Sequence, residues 1–297
     1  MAYKIIANPW ADKGRGKSSV DIIVEEFRAH GAEFHVEYTK RPGHAADVAK
    51  MAVYEGWPYV VAVGGDGTMG EVLQGVAGTD TALGIIPAGT GNDLAMALGM
   101  PKDLREATRA LLTAPVIQMD VGRDVEGYFG IILGLAYATD AMRYVNTHST
   151  IFRGPLHILA GILSVLQCLK AYEMEVVMDN EIIRDKFSAV FIMNIYRTGG
   201  GLLLAPEASV TDGLFDVVLV RELSKFDFLF TLPKAYKGRH LSHPRVSIHR
   251  TRSIQITTLE RMEKLFDGNV HGCTPVDACV VPGGLRVLSP AKGVARC

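Results

Sequence analysis

Cysteine is scarce in this 297-residue chain: Cys168, Cys273, Cys279 and Cys297 are the only four, and no two form a CxxC pair. That spacing gives neither a disulfide framework nor a cysteine zinc clip, and it fits free thiols in a reducing compartment. Net charge is nearly absent too, with 31 basic residues against 32 acidic ones. No overall field draws the chain to nucleic acid or to an anionic surface, so attraction for a phosphorylated ligand has to be built locally. The longest apolar run lies between Pro155 and Lys170, short of the ~20 residues that a spanning helix needs. The segment from Met1 to Pro9 enters a strand pattern at once, without the apolar stretch of a secretory leader. A cytoplasmic location with no nucleic-acid partner is the expectation. Gly-x-Ser-x-Gly, HExxH, internal repeats and low-complexity linkers are all missing, and His240, His243, His249 and His271 lack metal-ligand spacing.

What is present reads as a globular protein, 48% hydrophobic and 21% charged. Over the first 120 residues, strand patterns (Tyr3–Ala7, Glu33–Tyr38, Tyr59–Val63, Ala82–Ile86) alternate with helical ones (Ser18–His30, Ala45–Glu55, Thr68–Val76, Asp103–Leu112). Apolar strands in β-α alternation predict a parallel sheet with helices on both faces, and ligands in such sheets bind at the carboxyl ends of the strands. Beyond Asp120 the pattern becomes β-rich, interrupted by helical stretches at Pro155–Lys170 and Lys225–Lys237. The expected fold is an α/β nucleotide-binding domain over 1–120 and a mainly antiparallel β-sandwich over 121–297. The extreme C-terminus is expected to pack back on the first domain, and the site to lie in the cleft between the two.

The strongest local signal is Val60-Val61-Ala62-Val63-Gly64-Gly65-Asp66-Gly67-Thr68, a buried strand opening into three glycines before a helix. Glycines there permit close backbone approach to a ligand, and the helix that follows offers free N–H groups and a positive dipole end to an anion. An Asp inside a phosphate turn repels the phosphate unless a cation intervenes, which points to a metal–nucleotide complex. A second turn, Pro87-Ala88-Gly89-Thr90-Gly91-Asn92-Asp93, falls at the end of the next strand and can enclose a triphosphate from the other side. Two weaker patterns compete. Gly65-x-Gly67-x-x-Gly70 has dinucleotide spacing but sits on the third strand. Ala11-x-x-x-x-Gly16-Lys17-Ser18 lacks the first glycine of a P-loop, although a Gly/Lys/Arg loop there could still touch a nucleotide.

These motifs, with Asn8-Pro9 after the first strand, Thr39 after the second and Glu71 within the third helix, resemble the diacylglycerol kinase catalytic family. That family includes bacterial diacylglycerol and related lipid kinases and the sphingosine and ceramide kinases. The resemblance continues through Arg197-Thr198-Gly199-Gly200-Gly201, Thr211-Asp212-Gly213-Leu214-Phe215-Asp216, Gly238-Arg239-His240 and Phe266-Asp267-Gly268. It implies an ATP- and Mg2+-dependent transfer of phosphate to a lipid hydroxyl. ATP would be held by Asn8, Thr39, Gly64, Gly65, Asp66, Gly67, Thr68, Glu71 and Thr90, with Asp66 and Asp93 organising Mg2+. It also implies a structural Mg2+ on Asp212 with the carbonyls of Ser209 and Leu214. Where relatives read Asp-Gly-Glu this chain reads Asp267-Gly268-Asn269, so Asp267 is the expected base, with Asn269 orienting the acceptor hydroxyl. Ala136 likewise stands where relatives carry a glycine.

Two other readings share some of these features. An NAD kinase-like enzyme has the same first glycine turn, and a catalytically weak nucleotide- or lipid-binding regulator fits the Asn at 269. For the lipid kinase reading, the apolar Pro155–Lys170 stretch and the basic residues Lys234, Lys237, Arg239, Arg245 and Arg250 suggest peripheral contact with a membrane.

Overall fold

The computed structural model describes residues 1–11, 16–148, 155–179 and 181–291. The glycine–lysine loop after the first strand and the extreme C-terminus fall largely outside these residues. The chain divides into two compact units, one built from Met1–Val121 with the return segment that starts at Pro282, the other from Gly122–Val281. The boundary thus falls at 121/122, and the C-terminal segment expected to pack back on the first domain does so from Pro282.

In the first unit, β1 (Ala2–Ala7), β2 (Glu33–Tyr38), β3 (Tyr59–Gly64) and β4 (Ala82–Pro87) pair in parallel in the order β2-β1-β3-β4. β3 and β4 are buried almost throughout, as expected of central parallel strands. The connecting helices are α1 (Gly16–Ala29), α2 (His44–Tyr54), α3 (Asp66–Val76), the short α4 (Asp93–Ala97) and α5 (Leu104–Thr113). Right-handed crossovers in this strand order put α1 on one face and α2 and α3 on the other. α2 and α3 approach so closely that a Cβ on Gly75 would lie 2.8 Å from the Lys50 nitrogen. α5 starts at Asp103, whose carboxylate caps the helix by accepting from the Arg105 and Glu106 amides. Strand β5 (Val116–Asp124) leads into the second unit. The last strand leads back, where Gly283 N–H donates to Asp120 Oδ1 at 2.7 Å and Val287 lies opposite Leu83 of β4.

The second unit is antiparallel. β6 (Gly127–Phe129) turns back on β5. β7 (Ile132–Ala136), β8 (Tyr172–Met178), β9 (Glu181–Met193), β10 (Phe215–Arg221), β11 (Val246–Thr251), β12 (Ser253–Thr258), β13 (Glu263–Phe266), β14 (Asn269–Cys273) and β15 (Val276–Leu288) follow. β9 is long enough to serve two sheets. Its first half pairs with β8, and its second half lies between β7 and β10. Only the second half reads as a strand in the sequence, because Glu181, Arg184, Asp185 and Lys186 hide the alternation of the first. The core holds Phe129 stacked on Phe215, with Phe266 edge-on to Phe129. Beside it lies a fully buried ion pair, Lys264 Nζ to Asp124 Oδ2 at 2.6 Å.

Three helices cover part of this unit: α6 (Tyr137–Thr147), α7 (Pro155–Ser164) and α8 (Lys225–Ala235). α7 ends sooner than the apolar run does, and a 3-10 turn at Leu166–Cys168 continues it. Ala136, at the start of α6, has φ 60 and ψ −123, a left-handed conformation that favours glycine. The glycine expected there is thus a backbone requirement, which this chain meets at the expense of local strain. No helix among the described residues is long and apolar enough to cross a membrane.

The α1–α5 contact carries a pH dependence. Glu26 is buried on α1 and accepts from Arg109 Nε at 2.8 Å and Arg105 Nη1 at 2.9 Å. The hydrogen bonds from Arg109 and then Arg105 lower its pKa from 4.5 to about 2. A folded pKa below the unfolded one adds stability that is complete above the unfolded value and lost as pH falls toward the folded one. Glu26→Gln is therefore expected to flatten the loss of stability between pH 4.5 and about 2. Equal slopes for variant and wild type in acid titrations of the melting temperature would contradict this.

Candidate active site

Parallel pairing puts the ends of β1, β3 and β4 on one edge of the first sheet. β1 and β2 run out to one side and β3 and β4 to the other, so the switch in strand order falls between β1 and β3. Asn8 leaves β1 there. Its N–H donates to Val63 O at 3.1 Å, and its side-chain amide donates to Thr68 Oγ1 at 3.3 Å. Thr39 follows β2 on the same edge, buried, with its N–H on Ala7 O. Gly64 closes β3, where a Cβ would collide with the Thr68 hydroxyl. Asp66, Gly67 and Thr68 form the first turn of α3, whose N-cap residue, Gly65, makes no side-chain cap. The start of this 11-residue helix therefore presents backbone donors and a positive dipole end.

The second turn leaves β4 beside the first. Ala88 N–H donates to Gly64 O, and Asn92 clamps Gly89 from both sides, accepting from its N–H at 3.0 Å and donating to its carbonyl at 2.8 Å. Asn92 adopts φ 55, a left-handed conformation that Asn tolerates better than most residues. The turns meet backbone to backbone: a Cβ on Gly89 would lie 2.7 Å from the Gly65 nitrogen. This contact brings two carboxylates together. Around Gly91, a Cβ would lie 2.5 Å from Asp66 Oδ2 and 3.5 Å from Asp93 Oδ2. Asp66 Oδ1 also accepts from Leu94 N–H, and Asp93 is buried. Two carboxylates beside a helix start are a donor set that could hold a hard divalent cation. Thr90 lies exposed on the same turn. Glu71 is engaged through Oε2, which accepts from Ala45 N–H in the first turn of α2 and so ties the two helices together.

The second unit contains a cavity of about 120 Å³ lined by α6, α7, α8 and the adjacent strands. Its wall is apolar, with Ile132, Met142, Ile162, Phe191 and Phe228 among the lining residues. Of its two ionisable lining residues, Tyr137 and His240, Tyr137 is bonded to Ile162 O and His240 keeps a nitrogen over. Its Nε2 is 3.1 Å from Leu204 O and Nδ1 has no partner, while burial pushes its pKa down. A neutral ring donating from Nε2 leaves Nδ1 as an acceptor in that wall.

Asp267 does not sit as a free base. It occupies the β13–β14 hairpin at φ 51, and its carboxylate accepts from three successive amides: Gly130 at 3.0 Å, Ile131 at 2.7 Å and Ile132 at 3.0 Å. Burial pushes its pKa up to about 6, opposed by those three hydrogen bonds. The side chain is an anchor that ties the hairpin to the start of β7. Asn269 begins β14, half-buried.

The expected structural metal set is not arranged as a cage. Asp212 Oδ1 accepts from Leu214 N–H at 3.1 Å, and Oδ2 is paired with the Arg250 guanidinium. The Ser209 hydroxyl turns to Thr211. β10–β11 register places Arg250 opposite Asp216, so a protein cation already meets this acidic turn. Mg2+ on the Asp212 carboxylate would have to displace the Arg250 guanidinium.

Motif reading missed three features. Asn92's clamp is made within the second turn, and the Gly65–Gly89 contact depends on two turns meeting in space. The anchoring role of Asp267 was signalled by the Asp-Gly hairpin pattern. Asp267→Asn turns an amide group toward amide donors and is expected to cost about 2–3 kcal/mol of stability. Asn269→Glu should change stability by less than about 0.5 kcal/mol. Urea denaturation of both variants checks this, and an Asp267→Asn protein as stable as wild type would return that carboxylate to the role of base.

Comparison with known proteins gives the same architecture. The family profile described as diacylglycerol kinase catalytic domain matches residues 2–123, and the YegS C-terminal NAD kinase beta sandwich-like domain matches 134–289. A diacylglycerol kinase of Mycobacterium tuberculosis (strain ATCC 25618 / H37Rv) is 30% identical, over 97% of this chain and 95% of its own. One of Bacillus subtilis (strain 168) is 27% identical, over 97% and 96%. Among solved structures, a protein of Bacillus anthracis str. Sterne described as a diacylglycerol kinase shares the fold with a TM-score of 0.75 and 23% identity, over 97% of this chain and 96% of that one. The chain belongs to the diacylglycerol kinase catalytic family and is a phosphotransferase with an alcohol acceptor.

Proposed function

We propose that the protein transfers the γ-phosphoryl group of ATP, presented with Mg2+, to a hydroxyl of diacylglycerol or a closely related lipid. The observation that carries the lipid assignment is the apolar cavity of the second unit, whose wall suits a hydrocarbon chain and offers almost nothing to a dinucleotide. Names of the relatives point the same way.

On this reading the start of α3 holds the phosphates through its first-turn N–H groups and positive dipole end, and Asn8 and Thr90 border them on the same edge. Asp66 and Asp93 would hold Mg2+, which when bound neutralises charge on the transferring phosphates. Phosphoryl transfer asks the protein mainly for positioning and electrostatic stabilisation. A chain whose Asp267 carboxylate is already occupied can meet that demand through its turns. The cavity would take up the acyl part of the acceptor, with His240 Nδ1 accepting from a donor on the lipid or from a water.

Incubation with γ-labelled ATP tests the reading against dioleoylglycerol, phosphatidylglycerol, a sphingoid base and NAD. Label is expected in the organic phase with dioleoylglycerol, and Asp66→Asn should reduce it by about 10²–10³-fold. Label on NAD with none in lipid, or nucleotide binding without transfer to any acceptor, would overturn the proposal.

A further inference from the structure

Helix α8 has apolar side chains on two opposite faces, and only one of them is covered. Phe228, Thr231, Leu232 and Ala235 line the cavity. On the other side Phe226 and Phe230 are 76% and 73% exposed, one turn apart, with Leu229 beside them at 41%. Ser224 caps the helix by accepting from Asp227 N–H, so this is a well-formed helix start rather than a fraying end.

Charge tells what the open face meets. Lys225, Lys234 and Lys237 continue the outward side of α8 and Arg239 follows it, all exposed and none in an ion pair among the described residues. The acid of the same helix, Asp227, is engaged with the Ser224 hydroxyl. The other two basic residues of the run are already occupied: Arg245 donates to Glu222 O and Arg250 pairs with Asp212. α7 repeats the design. Ile158 and Ile162 line the cavity, while Leu156 and Leu163 are 58% and 41% exposed.

We propose that the outward face of α8, through Phe226, Leu229 and Phe230 flanked by Lys225, Lys234 and Lys237, docks on an anionic lipid bilayer. The proposal rests on the lipid-acceptor reading above and adds where that lipid is met. Aromatic rings set among lysines match an interface of hydrocarbon beneath anionic headgroups. A second copy is a poor occupant, since a two-fold contact would set Lys234 and Lys237 against themselves. A helix with one face in the bilayer and the other in the cavity wall also places the acceptor's source beside its destination.

Co-sedimentation with vesicles of phosphatidylcholine alone, and of phosphatidylcholine mixed with phosphatidylglycerol, tests this on the full chain. Wild type should pellet with the mixed vesicles, and Phe226→Ser with Phe230→Ser should weaken that affinity by about tenfold or more. Lys234→Glu with Lys237→Glu should abolish the preference for mixed vesicles. All four positions are exposed, so circular dichroism and melting temperature should match wild type. Transfer to soluble dioctanoylglycerol should persist in the phenylalanine variant while transfer to long-chain diacylglycerol in vesicles falls. Wild type that stays in the supernatant, or a phenylalanine variant that pellets unchanged, overturns the docking surface. So does a wild-type dimer that the phenylalanine variant dissociates without any vesicle binding. Vesicle binding that depends on the phenylalanines, with no glycerolipid phosphorylated, would leave the surface standing and overturn the acceptor instead.

Discussion

Everything at the nucleotide edge depends on two glycines that lie against each other. A Cβ on Gly89 would lie 2.7 Å from the Gly65 nitrogen, and one on Gly65 would press to 3.2 Å from the Gly89 Cα. Neither is needed there for a left-handed backbone: Gly65 has φ −96, in the extended region. What they supply is the absence of a side chain between two turns. Asn92 then fixes the second turn internally, and Asp66 and Asp93 converge near Gly91. Both carboxylates flank Gly91, a donor pair on the edge where the proposed nucleotide–metal complex would sit.

The second unit solves a different problem. Its sandwich core is closed by aromatic packing and by one buried ion pair, yet α6, α7 and α8 enclose a space that their own side chains leave unfilled. Two polar side chains at its edges bond to backbone, and His240 Nδ1 is left over. Tyr137 donates its hydroxyl to Ile162 O, and His240 is bound to Leu204 O. Apolar volume in a helical layer, rather than in the sheet core, leaves the sandwich stable whether or not a ligand enters. On the proposed reading, phosphate chemistry and hydrocarbon binding are built separately, each from the interactions that suit it.

Sequence made the first unit legible because its strands and glycine turns are local features. β3 and β4 are short apolar runs, and GGDGT and GTGND follow them directly. Glu71 shows what spacing leaves out: it follows the first glycine turn on α3, and its Oε2 accepts from the Ala45 amide of α2. Asp267 and Asp212 teach the same lesson, since a carboxylate's role is set by which donors fold around it. Gly130, Ile131 and Ile132 are far from Asp267 in sequence, and Arg250 reaches Asp212 only through β10–β11 register. The cavity was illegible for a like reason, being assembled from residues between Ile132 and Leu265 that no single window contains. The apolar 155–170 run marked one of its walls without saying which face turned inward.

The central claim is that two glycine turns in contact create one cation-dependent nucleotide site. Isothermal titration of the wild-type protein with a non-hydrolysable ATP analogue, in excess Mg2+ and again in excess EDTA, addresses it directly. The account predicts binding in Mg2+ that weakens by about tenfold or more in EDTA, because the Asp66–Asp93 pair then faces the phosphates unneutralised. Equal affinity under both conditions would contradict it.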